Sequence, residues 1–150
     1  RLEKVEGPVD FHVYVDYAHT EDALKNVLTS IQKVSSSRII LVFGCGGNRD
    51  KTKRPKMGKA ASLFADWSIV TSDNPRQEDP RVIIEEISQG FIKENYEVIA
   101  DRQKAITKAL SLAQKNDVVL IAGKGHENYQ IFGQSTIHFD DRIVAKEYSK

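Results

Sequence analysis

The sequence is poor in cysteine, in long apolar runs and in any excess of charge of one sign. Cys45 is the single cysteine, so it cannot form a disulfide within the chain, and we expect a reducing, cytoplasmic location. No apolar run approaches the roughly 18 residues that a membrane span needs, and no signal peptide is recognisable. Lysine and arginine number 22 against 21 acidic residues, a balance that predicts neither a nucleic acid nor a membrane as partner.

The remaining composition is typical of a globular domain. The 150 residues are the usual length of one domain, and 40% of them are hydrophobic against 29% that are charged. We therefore expect one soluble unit with a sizeable core. The sequence starts at Arg1 without a methionine, so we expect it to be part of a longer protein.

Strand-like apolar runs alternate with helical segments along the chain. The predicted strands are 9–15, 38–43, 66–70, 96–100 and 117–122. We predict helices after Thr20, from Pro55, from Pro80 and over 102–115, then a hairpin over 128–139 and a short helix capped by Asp140 or Asp141. This order predicts an α/β, Rossmann-like three-layer domain. Its sheet should have about six strands, mostly parallel with one antiparallel strand late in the chain, and helices on both faces.

Polar clusters follow the ends of the predicted parallel strands. Right-handed crossovers place the carboxyl ends of such strands along one edge of the sheet, where α/β proteins bind ligands. Because all of these clusters follow strand ends, we favour the interpretation that they form one functional edge over the interpretation that they are unrelated loops. The clusters lie at 16–19, 44–50, 73–76, 101–102 and 123–127.

The segment Asp73-Asn74-Pro75-Arg76 is the most informative of these clusters. Asp73 suits an ammonium group, and Arg76 suits a carboxylate through a bidentate contact, so together they fit a zwitterion. An ordinary turn is the other interpretation, because Asp, Asn and Pro are common turn residues.

The glycine-containing clusters do not complete a triphosphate-binding loop. Neither 44–47 nor 123–125 has the spacing of a P-loop. Cys45 is interpreted as a small buried filler rather than a reactive thiol. The basic run 48–54 is either a solvated loop or a source of a carboxylate ligand, Arg49.

Two histidines and two carboxylates allow more than one interpretation. His126 and Glu127 could form a catalytic pair, but we favour Glu127 at a helix N-terminus facing a cationic ligand. Asp16 either meets a ribose hydroxyl or caps a helix. His19 and His126 show no zinc-like spacing, so we predict no metal site.

These clusters, in this order, resemble the C-terminal domain of the Mur ligases, and within that family the members that add the third residue of the peptidoglycan stem peptide. The resemblance spans nearly the whole chain, and Asp-Asn-Pro-Arg together with Gly-Lys-Gly-His-Glu is its most specific part. Glu21 and Asn48 depart from the usual proline and aspartate. The matching segments are 1–3, 16–20, 43–47, 49–51, 54–55, 71–76, 123–127 and 138–141.

The resemblance implies an ATP-dependent amide ligation through an acyl phosphate. The P-loop, the Mg²⁺ ligands and the groups that hold the UDP-MurNAc-dipeptide would lie in other domains, so we expect this domain alone to be inactive. The family's ATP contacts match Arg1, Asp16 and, more loosely, His19. Its contacts with meso-diaminopimelate match Arg49, Asp73, Asn74, Arg76, Gly123 and Glu127.

Three alternatives remain open at this stage. A relative that adds lysine has no use for Arg76, since lysine lacks the distal carboxylate. A non-catalytic module that binds an amino acid or a nucleotide would fit the missing P-loop if the chain were complete. A nucleic-acid module is disfavoured by the balanced charge.

Overall fold

This computed structural model describes residues 2–148, and strands and helices alternate through the middle of that range. The strands are β1 (Glu3–Val5), β2 (His12–Asp16), β3 (Ile39–Phe43), β4 (Trp67–Val70), β5 (Tyr96–Val98), β6 (Val118–Ala122), β7 (Tyr129–Phe132) and β8 (Ser135–His138). The helices are α1 (Glu21–Val34), α2 (Lys53–Phe64), α3 (Pro80–Ser88), α4 (Arg102–Leu112) and α5 (Asp141–Tyr148).

The central sheet has six strands in the order β1-β2-β6-β3-β4-β5. The neighbouring strands β2, β6, β3, β4 and β5 all pair in parallel, whereas β1 pairs antiparallel with β2. The predicted mostly parallel, six-stranded Rossmann-like sheet is confirmed. The antiparallel strand, however, is the first strand and not a late one. The predicted hairpin forms as β7 and β8, but all four residues of β8 are exposed and the hairpin makes its own two-stranded sheet.

Helices cover both faces of the sheet, as its uninterrupted apolar strands require. One face packs against α1, α2 and α3, with Leu28, Met57 and Ile87 fully buried. The other face packs against α4 and α5 through residues such as Ile106 and Ala145. Every residue of β3 and β6 is buried, which makes these two strands the centre of the three layers.

Side chains cap the helices near the sheet's carboxyl edge. Thr20 accepts a hydrogen bond from the Ala23 N–H, and Pro80 opens α3, both as predicted. Asp140 Oδ1 accepts from the Arg142 N–H at 2.9 Å, as a cap of α5. Other bounds differ by a few residues: α2 begins before Pro55, and α4 ends at Leu112.

The chain order creates a ligand-binding edge. β6 lies between β2 and β3 in the sheet. The chain leaves β2 and β3 toward α1 and α2 on one face, whereas after β6 it continues to the hairpin and to α5 on the other face. Ligands bind α/β sheets at such a switch point, beyond the carboxyl ends of the strands. Within residues 2–148, no helix combines the length and the apolar character needed to cross a membrane.

Candidate functional site

A cavity of about 550 Å³ opens at the carboxyl edge of the sheet, where the loops after β2, β3, β4 and β6 meet. Its walls include every residue predicted to contact the amino acid, together with His19, whereas Asp16 is not part of the wall. The structure therefore brings together side chains from four separate loops. The six predicted residues in the wall are Arg49, Asp73, Asn74, Arg76, Gly123 and Glu127.

The loop after β4 is tied to both of its neighbours. The Asn74 carbonyl oxygen accepts from the Gly47 N–H at 2.7 Å, and the Arg76 N–H donates to the Ile131 carbonyl at 3.0 Å. Arg76 has a left-handed backbone with φ of 54°, which is uncommon for a residue other than glycine. Because the loop is fixed on both sides, it is more than a free surface turn.

The glycines after β3 allow close approach of this loop. A Cβ at Gly47 would lie 1.8 Å from the Pro75 carbonyl oxygen, which is a backbone clash. A Cβ at Gly46 would lie 2.9 Å from Nη1 of Arg76. Position 47 therefore needs glycine for the approach of the two loops, whereas position 46 is limited only by the end of a side chain. The cavity lies where the two loops meet.

The basic run 48–54 divides into exposed and buried residues. Arg49 is exposed at the cavity and its Nη1 donates to the Asn48 carbonyl at 3.0 Å. Arg54, in contrast, has a fully buried side chain. The interpretation of the whole run as a solvated loop is therefore wrong, because its last arginine belongs to the interior.

Arg54 binds together the segments that carry Arg49 and Arg76. Its guanidinium donates to the Gly46 carbonyl at 3.0 Å and to Glu86 Oε1 at 3.0 Å. It also contacts both carboxylate oxygens of Glu78, at 2.9 and 3.1 Å. The Arg54 guanidinium, with a further bond from the Asn48 N–H, lowers the pKa of Glu78 to about 2.

Lys124 is a buried residue of this site that the sequence prediction missed. Its side chain is fully buried, and its Nζ donates to Asn74 Oδ1 at 3.0 Å and to the Tyr129 carbonyl at 2.7 Å. The same Nζ lies 3.1 Å from Asp73 Oδ1 and 3.7 Å from Glu127 Oε1. The sequence feature that could have identified Lys124 is a lysine between two glycines at the end of a buried strand.

The segment after β6 is a turn and does not begin a helix, so that prediction for Glu127 is wrong. Gly123 and Gly125 have φ of 117° and 55°, values that a side chain would disfavour. The turn points His126 and Glu127 in different directions. His126 contacts Glu3 and Arg142, whereas Glu127 lines the cavity, so they do not form a catalytic pair.

The residues at the end of β2 stand beside the cavity. The Asp16 carboxylate accepts from the Ala18 N–H at 2.8 Å in a local turn, and Thr20 caps the helix, so Asp16 is not a helix cap. Nδ1 of the exposed His19 lies 2.8 Å from the Tyr17 carbonyl. The negative charge of Glu127 raises the pKa of Tyr17, which stands at the same end of the cavity. Arg1 lies outside the described residues.

Cys45 is buried beneath the glycine loop, with its Sγ 3.6 Å from the sulfur of Met57. Burial raises the pKa of the Cys45 thiol to about 12, so the thiolate that reacts or binds metals is not formed near neutral pH. The interpretation as a small filler is confirmed. Across residues 2–148, no group of three or more His, Cys, Asp or Glu is placed to hold a metal ion.

A Rossmann-like domain with a charged cavity of this size at its carboxyl edge belongs to the class of α/β domains that bind small polar ligands. The family model described as "Mur ligase, glutamate ligase domain" matches residues 1–125. The chain therefore belongs to the Mur ligase family.

Curated relatives agree with this assignment over the full chain. A UDP-N-acetylmuramoyl-L-alanyl-D-glutamate--2,6-diaminopimelate ligase of Caldanaerobacter subterraneus subsp. tengcongensis is 53% identical over 98% of this chain. The ligase of the same name from Halalkalibacterium halodurans is 50% identical over 100% of it. The chain spans 31% of the length of each relative, so it corresponds to one part of those proteins.

Solved structures share the fold. A UDP-N-acetylmuramoyl-L-alanyl-D-glutamate--2,6-diaminopimelate ligase superposes with a TM-score of 0.92 and 42% identity, over 99% of this chain and 31% of that chain. A Mycobacterium tuberculosis folylpolyglutamate synthase, complexed with ADP and AMPPCP, has a TM-score of 0.64 at 20% identity over 82% of this chain and 29% of that chain. The second likeness concerns the fold alone.

Proposed function

We propose that this chain is the amino-acid-binding C-terminal domain of an ATP-dependent ligase that adds meso-diaminopimelate to UDP-MurNAc-L-Ala-D-Glu in peptidoglycan synthesis. The observation that carries the proposal is the cavity in which Arg49, Arg76, Asp73 and Glu127 converge from three loops. The names of the curated relatives support the same substrate.

The charges of the cavity suit an amino acid with two zwitterionic ends. Asp73 and Glu127 offer carboxylates to an ammonium group, while Arg49 and Arg76 offer guanidinium groups to carboxylates. Diaminopimelate differs from lysine by a distal carboxylate. A lysine bound in the same place would leave one arginine without its partner, which costs binding energy and rejects lysine.

The nucleotide would approach from the end of β2. Asp16 ends a parallel strand, where a carboxylate commonly meets a ribose hydroxyl, and His19 lines the adjoining wall. We assign Arg1 to the phosphates by the family resemblance. Residues 2–148 contain no group of three or more His, Cys, Asp or Glu that could hold a metal ion, so we assign the Mg²⁺ ligands mainly to the rest of the protein.

This domain would bind and orient the amino acid, while the neighbouring domains hold the UDP-dipeptide and activate its carboxylate with ATP. Closing the domains would exclude water and bring the amine against the activated carbonyl. Such positioning is worth roughly 7–11 kcal/mol of barrier in favourable cases. We therefore expect no ligation by the isolated chain. We place the reaction in the cytoplasm, because the single cysteine is a free thiol, as is usual for proteins of a reducing compartment.

The test is ligation by the full-length parent protein with ATP, UDP-MurNAc-L-Ala-D-Glu and a panel of amino acids. Phosphate release and the tripeptide product would be measured with meso-diaminopimelate, lysine and ornithine. The proposal expects a clear preference for meso-diaminopimelate. A preference for lysine would identify a lysine-adding ligase, and no ligation of any member of the panel would favour a non-catalytic binding module.

A further inference from the structure

Lys124 holds a positive charge between the two carboxylates of the cavity. Its ammonium lies 3.1 Å from Asp73 Oδ1 and 3.7 Å from Glu127 Oε1, and its side chain has no exposed surface. Two neutral oxygens, Asn74 Oδ1 and the Tyr129 carbonyl, fix its position through hydrogen bonds. A charge held this way interacts more strongly with its neighbours than one in water, because little solvent screens it.

The described charges of the cavity sum to an excess of one positive charge. Lys124, Arg49 and Arg76 contribute three positive charges against the two negative charges of Asp73 and Glu127. Lys53 and Asp50, which also line the cavity, cancel one another. The buried Arg102 lies nearby but is neutralised by Asp141 at 2.8 Å.

The balance matches the charge of the proposed substrate in its reactive form. The attacking amine must be neutral, so diaminopimelate then carries two carboxylates and one ammonium group, a net charge of −1. Lysine with one neutral amine carries one carboxylate and one ammonium group, so its net charge is zero. Without Lys124, the cavity would keep two positive and two negative charges, and their sum would be zero.

We propose that Lys124 is a specificity-determining residue, which makes the cavity favour an amino acid with two carboxylates over one with a single carboxylate. This inference rests on the proposed function. In diaminopimelate the distal ammonium and carboxylate share one carbon. An ammonium against Asp73 or Glu127 therefore brings its carboxylate close to Lys124. Lys124 also positions Asp73, Asn74 and Glu127 through the contacts described above.

The experiment compares full-length wild-type enzyme with Lys124→Gln. Glutamine keeps an N–H donor for Asn74 and Tyr129 but removes the charge. We expect the ratio of kcat/KM for diaminopimelate to kcat/KM for lysine to fall by about tenfold or more, with the KM for ATP within about twofold of wild type. Lys115→Gln is the matched control, since Lys115 is exposed beyond the opposite end of β6, and its ratio should stay at the wild-type value.

A second pair of variants keeps the test decisive if Lys124→Gln does not fold. Asp73→Asn removes one negative charge, and Asp73→Asn combined with Lys124→Gln removes the buried pair together, which is better tolerated than a lone buried charge. Both variants lose the Asp73 carboxylate equally. The diaminopimelate-to-lysine ratio should be higher for Asp73→Asn than for the double variant.

The outcomes separate the inference from the proposed function. A wild-type enzyme that prefers diaminopimelate, with an unchanged ratio in Lys124→Gln or an equal ratio in the second pair, would overturn the role of Lys124 alone. In that case Lys124 is only a structural cation. A wild-type enzyme that ligates neither amino acid would overturn the proposed function and this inference with it.

Discussion

Nη1 of Arg76 donates a hydrogen bond to the carbonyl oxygen of Gly47 at 3.0 Å. The Gly47 N–H donates in turn to the Asn74 carbonyl at 2.7 Å, so the loops after β3 and β4 hold one another through both side chain and backbone. Arg76 is consequently oriented by the protein itself. A side chain that is already ordered loses less entropy when it binds a ligand.

Replacing Arg76 should affect the amino acid far more than the nucleotide. In the full-length enzyme, we expect Arg76→Ala to raise the KM for diaminopimelate about 10- to 100-fold, because the ligand loses one charged hydrogen-bonding partner. The KM for ATP should change by less than about twofold, and steady-state kinetics with each substrate varied would measure both. Arg81→Ala is the control, because the Arg81 side chain is 86% exposed. Equal losses for the two substrates would contradict the assignment.

Alanine at Gly46 and at Gly47 should have different effects. The added Cβ at position 47 meets the Pro75 backbone at 1.8 Å, so Gly47→Ala must separate two loops and should lower the stability by about 1–3 kcal/mol. At position 46 the nearest atom is the guanidinium of Arg76 at 2.9 Å, which can move. Gly46→Ala should keep the stability and weaken diaminopimelate binding. Urea unfolding measures the stability of each variant, and steady-state kinetics with diaminopimelate measure its binding. A similar loss of stability in the two variants would show that the Arg76 side chain cannot move away from the added Cβ.

The alternation of apolar runs was sufficient to predict the layers of the fold, because buried parallel strands such as β3 and β6 consist of β-branched and other apolar residues. The first strand was missed, since Glu3-Lys4-Val5 contains one buried residue and gains its place only by pairing with β2. The hairpin was predicted, but not its separation from the sheet, because β8 buries none of its side chains.

The candidate site was predictable where polar residues directly follow strands, as Asp73 and Arg76 do. Lys124 and Arg54 were not, because a buried cation depends on partners distant in sequence. Asn74 is 50 residues from Lys124, and Glu78 is 24 from Arg54. Local patterns describe both as charges in a loop or at a helix start. Only the folded chain shows that they anchor the cavity.

Glu78 should make stability depend on pH in acid. Its pKa falls from 4.5 to about 2 because Arg54 and the Asn48 N–H stabilise the charged carboxylate. The stabilisation is complete above pH 4.5, the unfolded value, and is lost as the pH falls toward about 2. The stability difference between wild type and Glu78→Gln should therefore be constant near neutral pH and shrink over that interval.

Urea unfolding at several pH values would measure this difference. Glu85→Gln provides the control on the same side of the molecule, because Glu85 is exposed on α3 and should give a small difference at every pH. A Glu78→Gln difference that stays constant down to about pH 3 would show that the ion pair with Arg54 does not stabilise the fold.

Arg102 should be costly to remove, because it supports the ends of two strands beneath the site. Its side chain is fully buried, and it donates to both carboxylate oxygens of Asp141 at 2.8 Å and to the Ser72 and Ala122 carbonyls at 3.0 and 3.2 Å. Arg102→Met leaves Asp141 as an unpaired buried charge, and we expect a loss of about 3–5 kcal/mol in urea unfolding. Arg81→Met, at an exposed position, should cost less than about 0.5 kcal/mol. A loss for Arg102→Met as small as that of Arg81→Met would show that the buried pair does not hold the edge together.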